Sequence, residues 1–198
     1  MKKFLLMLCL SVLYLNVSFA QVKLGITAGL NGSNTSATLG NSEKTPNNIK
    51  AGFQVGAVMD YSITNHFSIV PELLFSQRGS KGNVSSLTLN YLQLPINGAY
   101  KFDVGNGNFL IFGGMYVGYS LYGKLKTAEG TMIDVKFGSN DNEYKPFDLG
   151  INAGAGYQYK KLLARLQFNP GLYNLSNIKN TSFKNTNIAV SVAYFFIQ

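Results

Sequence analysis

Seven side chains able to carry or relay charge, Asp60, Glu72, Arg78, Gln93, Lys101, Asp148 and Arg165, lie in stretches where apolar and polar residues alternate. A period of two puts each of them on the row opposite its apolar neighbours. If that row faces a closed interior, its charges must be paired, because an ion withdrawn from water without a partner is costly. An internal polar network is therefore expected in the lumen, with Glu72 and Arg165 as members and Gln54, Gln93, Asn97 and Asn152 as bridges. Lys23 falls on the same row. Such a set could serve as a proton or ion path, or as a polar plug. A ring of eight strands is only just wide enough for its own side chains, which favours the plug.

Catalysis finds less support. His66 is the single histidine and falls in a tight connection, so it offers neither a metal cluster nor a general base at an outer rim. No catalytic residue, cofactor or metal site is expected.

The elements that must position these side chains are clearest at Phe147 to Tyr159. One row reads Phe147, Leu149, Ile151, Ala153, Ala155, Tyr157, Tyr159, and the other Asp148, Gly150, Asn152, Gly154, Gly156, Gln158. This is a strand long enough to cross a bilayer at a tilt, which takes about 9 to 11 residues. Its polar row carries small, weakly charged residues that suit a crowded barrel interior, leaving the apolar row to face lipid.

Seven more stretches alternate in the same way: Val22–Asn31, Ala51–Tyr61, Phe67–Gly79, Thr88–Phe102, Asn108–Tyr122, Leu162–Asn174 and Thr186–Gln198. Tyr122 is expected on the inner row. Pro71, Pro95 and Pro170 fall within strands, where each should mark a bulge or bend. The connections run long, short, medium, short, long, short, medium, which is the pattern of an up-and-down barrel with tight turns at one end and loops at the other. The long loops are Asn31–Lys50 and Gly123–Pro146, and a strand-like piece around Met132 to Phe137 could extend a hairpin beyond the membrane. Aromatic residues gather at both ends of the strands, as Tyr61, Phe67, Phe102, Phe109, Tyr157 and Tyr159 near the turns and Phe53, Phe75, Tyr119, Tyr122 and Phe147 near the loops. With no Trp in the chain, Phe and Tyr would form both interfacial girdles. The expected fold is all-β: an eight-stranded antiparallel up-and-down transmembrane β-barrel.

Residues 1–20 read as a signal peptide: Lys2 and Lys3, an apolar core from Phe4 to Val17, and a small-x-small site at Ser18-Phe19-Ala20. The barrel domain would then span 21–198. Loss of Lys2 and Lys3 lowers the formal charge from +8 to +6, and cleavage removes the only cysteine, Cys9. Stability without disulfides must come from backbone pairing and packing. No later segment holds about 18 consecutive apolar residues, so a membrane-spanning helix is excluded. The remaining lysines are scattered rather than clustered, which argues against nucleic acid as a partner.

AGLNGSN at Ala28–Asn34, VPELLFSQRGS at Val70–Ser80, YLQLPINGAYKF at Tyr91–Phe102 and GINAGAGYQY at Gly150–Tyr159 resemble the PorT-type outer-membrane β-barrel family of Bacteroidetes. The resemblance covers nearly the whole chain after the signal and implies an eight-stranded barrel in the outer membrane, with no known activity to transfer. The expected protein is a monomeric, non-enzymatic barrel of structural, adhesive or assembly- and secretion-accessory type. Outer-membrane lipid surrounds it, and an extracellular or periplasmic protein would be met through its loops. The alternatives are a secreted soluble barrel holding a small apolar ligand and a membrane-embedded barrel enzyme. The first needs a charge-rich outer face, which the polar rows do not supply; the second needs a Ser/His/carboxylate set at the outer rim, away from His66.

Overall fold

Period-two alternation becomes nine strands in the computed structural model, which describes residues 22–39, 48–82, 85–138, 140, 143–177 and 181–197. The expected signal peptide and Cys9 lie outside these residues, as does 40–47 of the first loop. The strands are β1 (Val22–Leu39), β2 (Lys50–Ser62), β3 (Phe67–Lys81), β4 (Ser86–Val104), β5 (Gly107–Lys126), β6 (Met132–Asp134), β7 (Phe147–Tyr159), β8 (Leu162–Pro170) and β9 (Thr181–Ile197). Neighbours pair antiparallel in the order β1-β2-β3-β4-β5-β7-β8-β9, and the β1–β9 ladder returns the sheet to its start. The result is a closed eight-stranded up-and-down barrel. Only β6 stands outside the ring, paired with the end of β5.

The pleat separates the two rows as alternation requires. On β7, Asp148 and Asn152 are 1% and 4% exposed, whereas Phe147 and Ile151 are 56% and 41% exposed. The outer wall is thus apolar and the interior is polar, the reverse of a water-soluble barrel. Small residues on the inner row make room for large ones next door. A Cβ at Gly150 would stand 2.4 Å from a Tyr116 ring carbon, and one at Gly154 would stand 2.4 Å from Phe112 Cζ. Gly150 and Gly154 of β7 are the sockets for two aromatics of β5.

Differences from the sequence reading have local causes. β1 continues through Leu39 and β9 starts at Thr181, because these polar ends pair with each other as a ladder from Asn34↔Thr186 to Leu39↔Thr181. Beyond lipid neither face must be apolar, so alternation carries no signal there. β8 stops at Pro170, which cannot donate to a ladder. Pro71 and Pro95 make no bulge: the β2–β3 and β3–β4 ladders lapse beside them and resume in the same register. The ladders shift register instead at Leu24/Gly25 between β1 and β9 and where Asn90 and Tyr91 oppose Tyr122 and Ser120, and the second of these is a bulge on β5. It inserts Leu121 and turns Tyr122 outward, to 52% exposure, correcting its expected inward placement.

Aromatic rings meet at both rims. Tyr100, Phe102 and Phe109 form a chain with centroids 4.9 and 6.4 Å apart at the turn end, while Phe53–Phe75 and Tyr119–Phe147 pair at 5.8 and 5.2 Å toward the loops. Val117 and Ile151 lie between these girdles on the outer face. Val117→Arg or Ile151→Arg should each destabilise the barrel in lipid by roughly 2 to 4 kcal/mol. Urea titration in phosphatidylcholine vesicles, read by the boiled-versus-unboiled gel shift, would show the loss; unchanged stability would contradict the outward assignment.

Candidate functional site

The barrel interior is the place where the charge-bearing residues meet, and it is built in layers. Four strands read alike from the turn end inward. β2 presents Asp60 then Val58, β4 presents Lys101, Ala99 then Asn97, β3 presents Val70 then Glu72, and β8 presents Leu163 then Arg165. The outermost layer holds an ion pair, with Lys101 Nζ donating to Asp60 Oδ2 at 2.7 Å. Next comes an apolar layer of Val58, Val70, Ala99, Leu110, Phe112, Leu163, Ala193 and Phe195.

Above it, Arg165 and Glu72 form a bidentate pair. Nη1 donates to Oε1 and Nη2 to Oε2, both at 2.8 Å, and Nη2 also donates to Thr27 Oγ1 at 3.1 Å. The side chains are 2% and 0% exposed. The planar guanidinium matches a carboxylate with two parallel bonds, which is what a buried ion pair needs to offset desolvation.

Amides then span the bore. Asn152 donates to Asn97 Oδ1 at 3.1 Å, Asn169 donates to Asn152 Oδ1, and Asn187 reaches both Asn169 and Asn31 at 3.4 Å. Asn31 donates to Ser76 Oγ at 3.1 Å, and Gln54 donates to Gln167 Oε1 at 3.2 Å. An amide donates and accepts at once, so such a belt links its members without net charge, leaving Asn97 Nδ2 and Asn187 Oδ1 without a hydrogen-bond partner.

Toward the loops, Arg78 Nη2 donates to Gln93 Oε1 at 2.9 Å, and its guanidinium lies 5.0 Å from the centre of the Tyr116 ring. The Tyr116 hydroxyl donates to Asp148 Oδ2 at 3.4 Å, and Asn185 donates to the same oxygen at 3.3 Å.

The seven residues singled out from sequence therefore fall into three groups. Glu72 joins Arg165, Asp60 joins Lys101, and Arg78 joins Gln93 with Asp148 related to it through Tyr116. The apolar layer keeps the Asp60–Lys101 pair apart from the others. Within that layer is a cavity of about 10 Å³, bounded by Asp60 and Lys101 on one side and by Asn97 and Arg165 on the other. This is about the space one water needs. Thr27, Asn31, Asn169, Asn185 and Asn187 went unnamed in the expected network, although their inward row position and amide or hydroxyl chemistry carried the signal. Among the described residues, no group of three or more His, Cys, Asp or Glu is placed to hold a metal. His66 lies in the β2–β3 turn, 3.9 Å from Asp103.

The loop end is closed by folded chain. Leu87, Leu89 and Tyr91 make a second buried cluster, against which Leu125, Val135, Phe137 and Phe183 pack. The Asn177 amide donates to the carbonyls of Gly138, Asn140 and Glu143 at 2.9, 3.2 and 3.0 Å. Lys145 N donates to Leu175 O at 2.9 Å, which ties the two last loops together. The Tyr144 ring packs tilted against Phe183 with centroids 5.2 Å apart, and burial raises its phenol above the ordinary tyrosine range.

Glu72→Gln should cost about 3 to 5 kcal/mol of barrel stability, because it strands a buried guanidinium. The double change Glu72→Leu/Arg165→Met should recover most of that loss. Gel-shift unfolding of the three proteins reads both, and an additive double variant would show that the pair has no coupling.

The family model described as outer membrane protein beta-barrel domain matches residues 19–177. Among solved structures, Neisserial surface protein A aligns at 12% identity and TM-score 0.52, covering 87% of this chain and 97% of that one. The attachment invasion locus protein Ail of Yersinia pestis aligns at 12% identity and TM-score 0.45, covering 89% and 99%. No curated protein matches.

Proposed function

This chain belongs to the outer membrane protein beta-barrel domain family, and from that premise we propose that it is a sealed, non-catalytic barrel acting through its outer surface, in a structural, adhesive or assembly-accessory role. The observation that carries this reading is the pair of closures. The lumen is filled by the apolar layer, the ion pairs and the amide belt, with about 10 Å³ left at the cavity below Arg165. The mouth is covered by loops tied together through Asn177. A protein closed twice along its axis has its ordered extracellular cap left to meet partners, and function on barrels is commonly carried by loops.

The inner charges serve on this reading as filling rather than as a conduction path, since an apolar layer interrupts them. A small apolar ligand has no lodging inside, and the apolar outer wall suits lipid. His66 sits at the end opposite the loops, which speaks against an enzyme at the outer rim. Short turns and both strand termini at one end support a periplasmic placement of that end. Export through a signal peptide removed after Ala20 and a monomeric barrel spanning 21–198 complete the proposal. The VPELLFSQRGS and YLQLPINGAYKF segments support a finer placement among the PorT-type members.

The test has two arms. In planar bilayers the folded protein should pass no steady current, and a stable open channel would overturn the plug. In a deletion strain, the wild-type chain should restore whatever defect appears, while a barrel with residues 128–142 replaced by a Gly/Ser turn should not, although it still shifts on boiling. Full restoration by that trimmed barrel would overturn the role of the cap.

A further inference from the structure

Four lysines, Lys50, Lys81, Lys124 and Lys126, line two adjoining clefts of about 290 and 330 Å³ near the loop end. The clefts share Ser86 and Lys126. The pleat decides which way they open. On β5 the outward row ends its apolar run at Tyr119 and Leu121, and after the bulge it resumes as Tyr122, Lys124 and Lys126. On β4 the outward row of Phe102 to Leu92 continues as Thr88 and Ser86. The clefts therefore open sideways on the outer wall, not upward from the cap.

Lys50 is held in place across this wall. Its ammonium donates to Ser86 Oγ at 2.8 Å and to Thr88 Oγ1. Its stem crosses Gly79, where a Cβ would stand 3.2 Å from Lys50 Cδ and 2.0 Å from the Leu87 carbonyl oxygen. Among the described residues, none of the four ammoniums lies within 4.0 Å of a carboxylate. Asp134, opposite Lys124 in the β5–β6 ladder, does not close on it. Lys50 lies beyond the apolar band, and burial, then the charge of Lys81, hold its ammonium below the ordinary lysine range. Like charges are thus gathered on a lateral face without a counterion among the described residues.

Directly below, Phe75 pairs with Leu92 and Leu92 with Tyr119, making an apolar ledge on the same wall. We propose that the lysine groove binds the phosphorylated headgroup of an outer-leaflet lipid whose acyl chains lie on this ledge. The sideways opening and the continuity from cation to apolar wall select a lipid over a soluble partner, which would approach through the cap. The site needs the barrel to stand in the outer membrane but is independent of what the loops do.

The test uses the full folded chain in dodecyl maltoside micelles, titrated with diphosphorylated lipid A, its dephosphorylated counterpart, inorganic pyrophosphate and dextran sulfate, with bound species read by native mass spectrometry. Lipid A should bind more tightly than the other three. A basic side chain near an anionic lipid surface is worth about fivefold, so Lys124→Gln/Lys126→Gln should weaken lipid A binding roughly thirtyfold. Lys136→Gln/Lys184→Gln removes the same charge elsewhere at the loop end and should change binding less than about twofold. Should the first pair fail to fold, Lys81→Gln carries the same comparison with an effect of about fivefold. Equal weakening by the control pair, or equal binding of dephosphorylated lipid, would overturn the proposal. Pyrophosphate binding as tightly as the lipid would make this a free-phosphate site, and tighter dextran sulfate would make it a polysaccharide surface; either outcome overturns it. A wild-type chain that does not shift on boiling would instead sink the membrane reading itself.

Discussion

Hydrocarbon offers no partner to a peptide group, so a chain that crosses it in strands must pair every backbone N–H and C=O with another strand. That demand closes β1 on β9 and leaves no edge in the ring. Closure then dictates the side chains. Once eight strands form a ring, one row of each must suit lipid and the other must fill a narrow bore. The apolar wall and the filled lumen are two consequences of the same constraint.

Filling a bore with polar groups is harder than filling it with apolar ones, because each buried donor needs its acceptor. The barrel meets the problem differently at each depth. Near the turns it uses aliphatic and aromatic packing, with Phe112 seated over Gly154. At the level of Glu72 and Arg165 it uses one bidentate ion pair. Further up it uses amides, which pair among themselves from Asn97 through Asn152, Asn169 and Asn187 to Asn31. Net charge is kept out of most of the interior by giving neutral side chains the greater share of the hydrogen bonding.

Beyond the lipid the constraint relaxes and the chain changes character. β1 and β9 continue as a polar ladder, β5 carries the short β6, and the last two loops are tied by Asn177. The outward row of β5 passes from Tyr119 and Leu121 to Lys124 and Lys126 at the same transition. Lipid-facing chemistry ends there and charge begins, which places a cationic groove at the boundary that a lipid headgroup would occupy.

Strand positions within the membrane were legible because lipid enforces alternation: β7 spans Phe147–Tyr159 in both readings, and β2 and β3 differ from expectation only at their ends. The inward placement of Glu72, Arg165, Asp60, Lys101, Arg78 and Asp148 followed from the same parity. Their partners did not. Residues as far apart as Glu72 and Arg165 meet because of barrel registers that no local pattern encodes, and the bulge that turns Tyr122 outward is a property of two strands together. The polar extension of β1 was hidden because water imposes no period. Sequence alone determined strand number, the two faces and the alternation of turns with loops, since each follows from the medium touching every residue. Tertiary structure decided which buried charge finds which, where the apolar layer interrupts them and which lysines converge, because those depend on the stagger between strands.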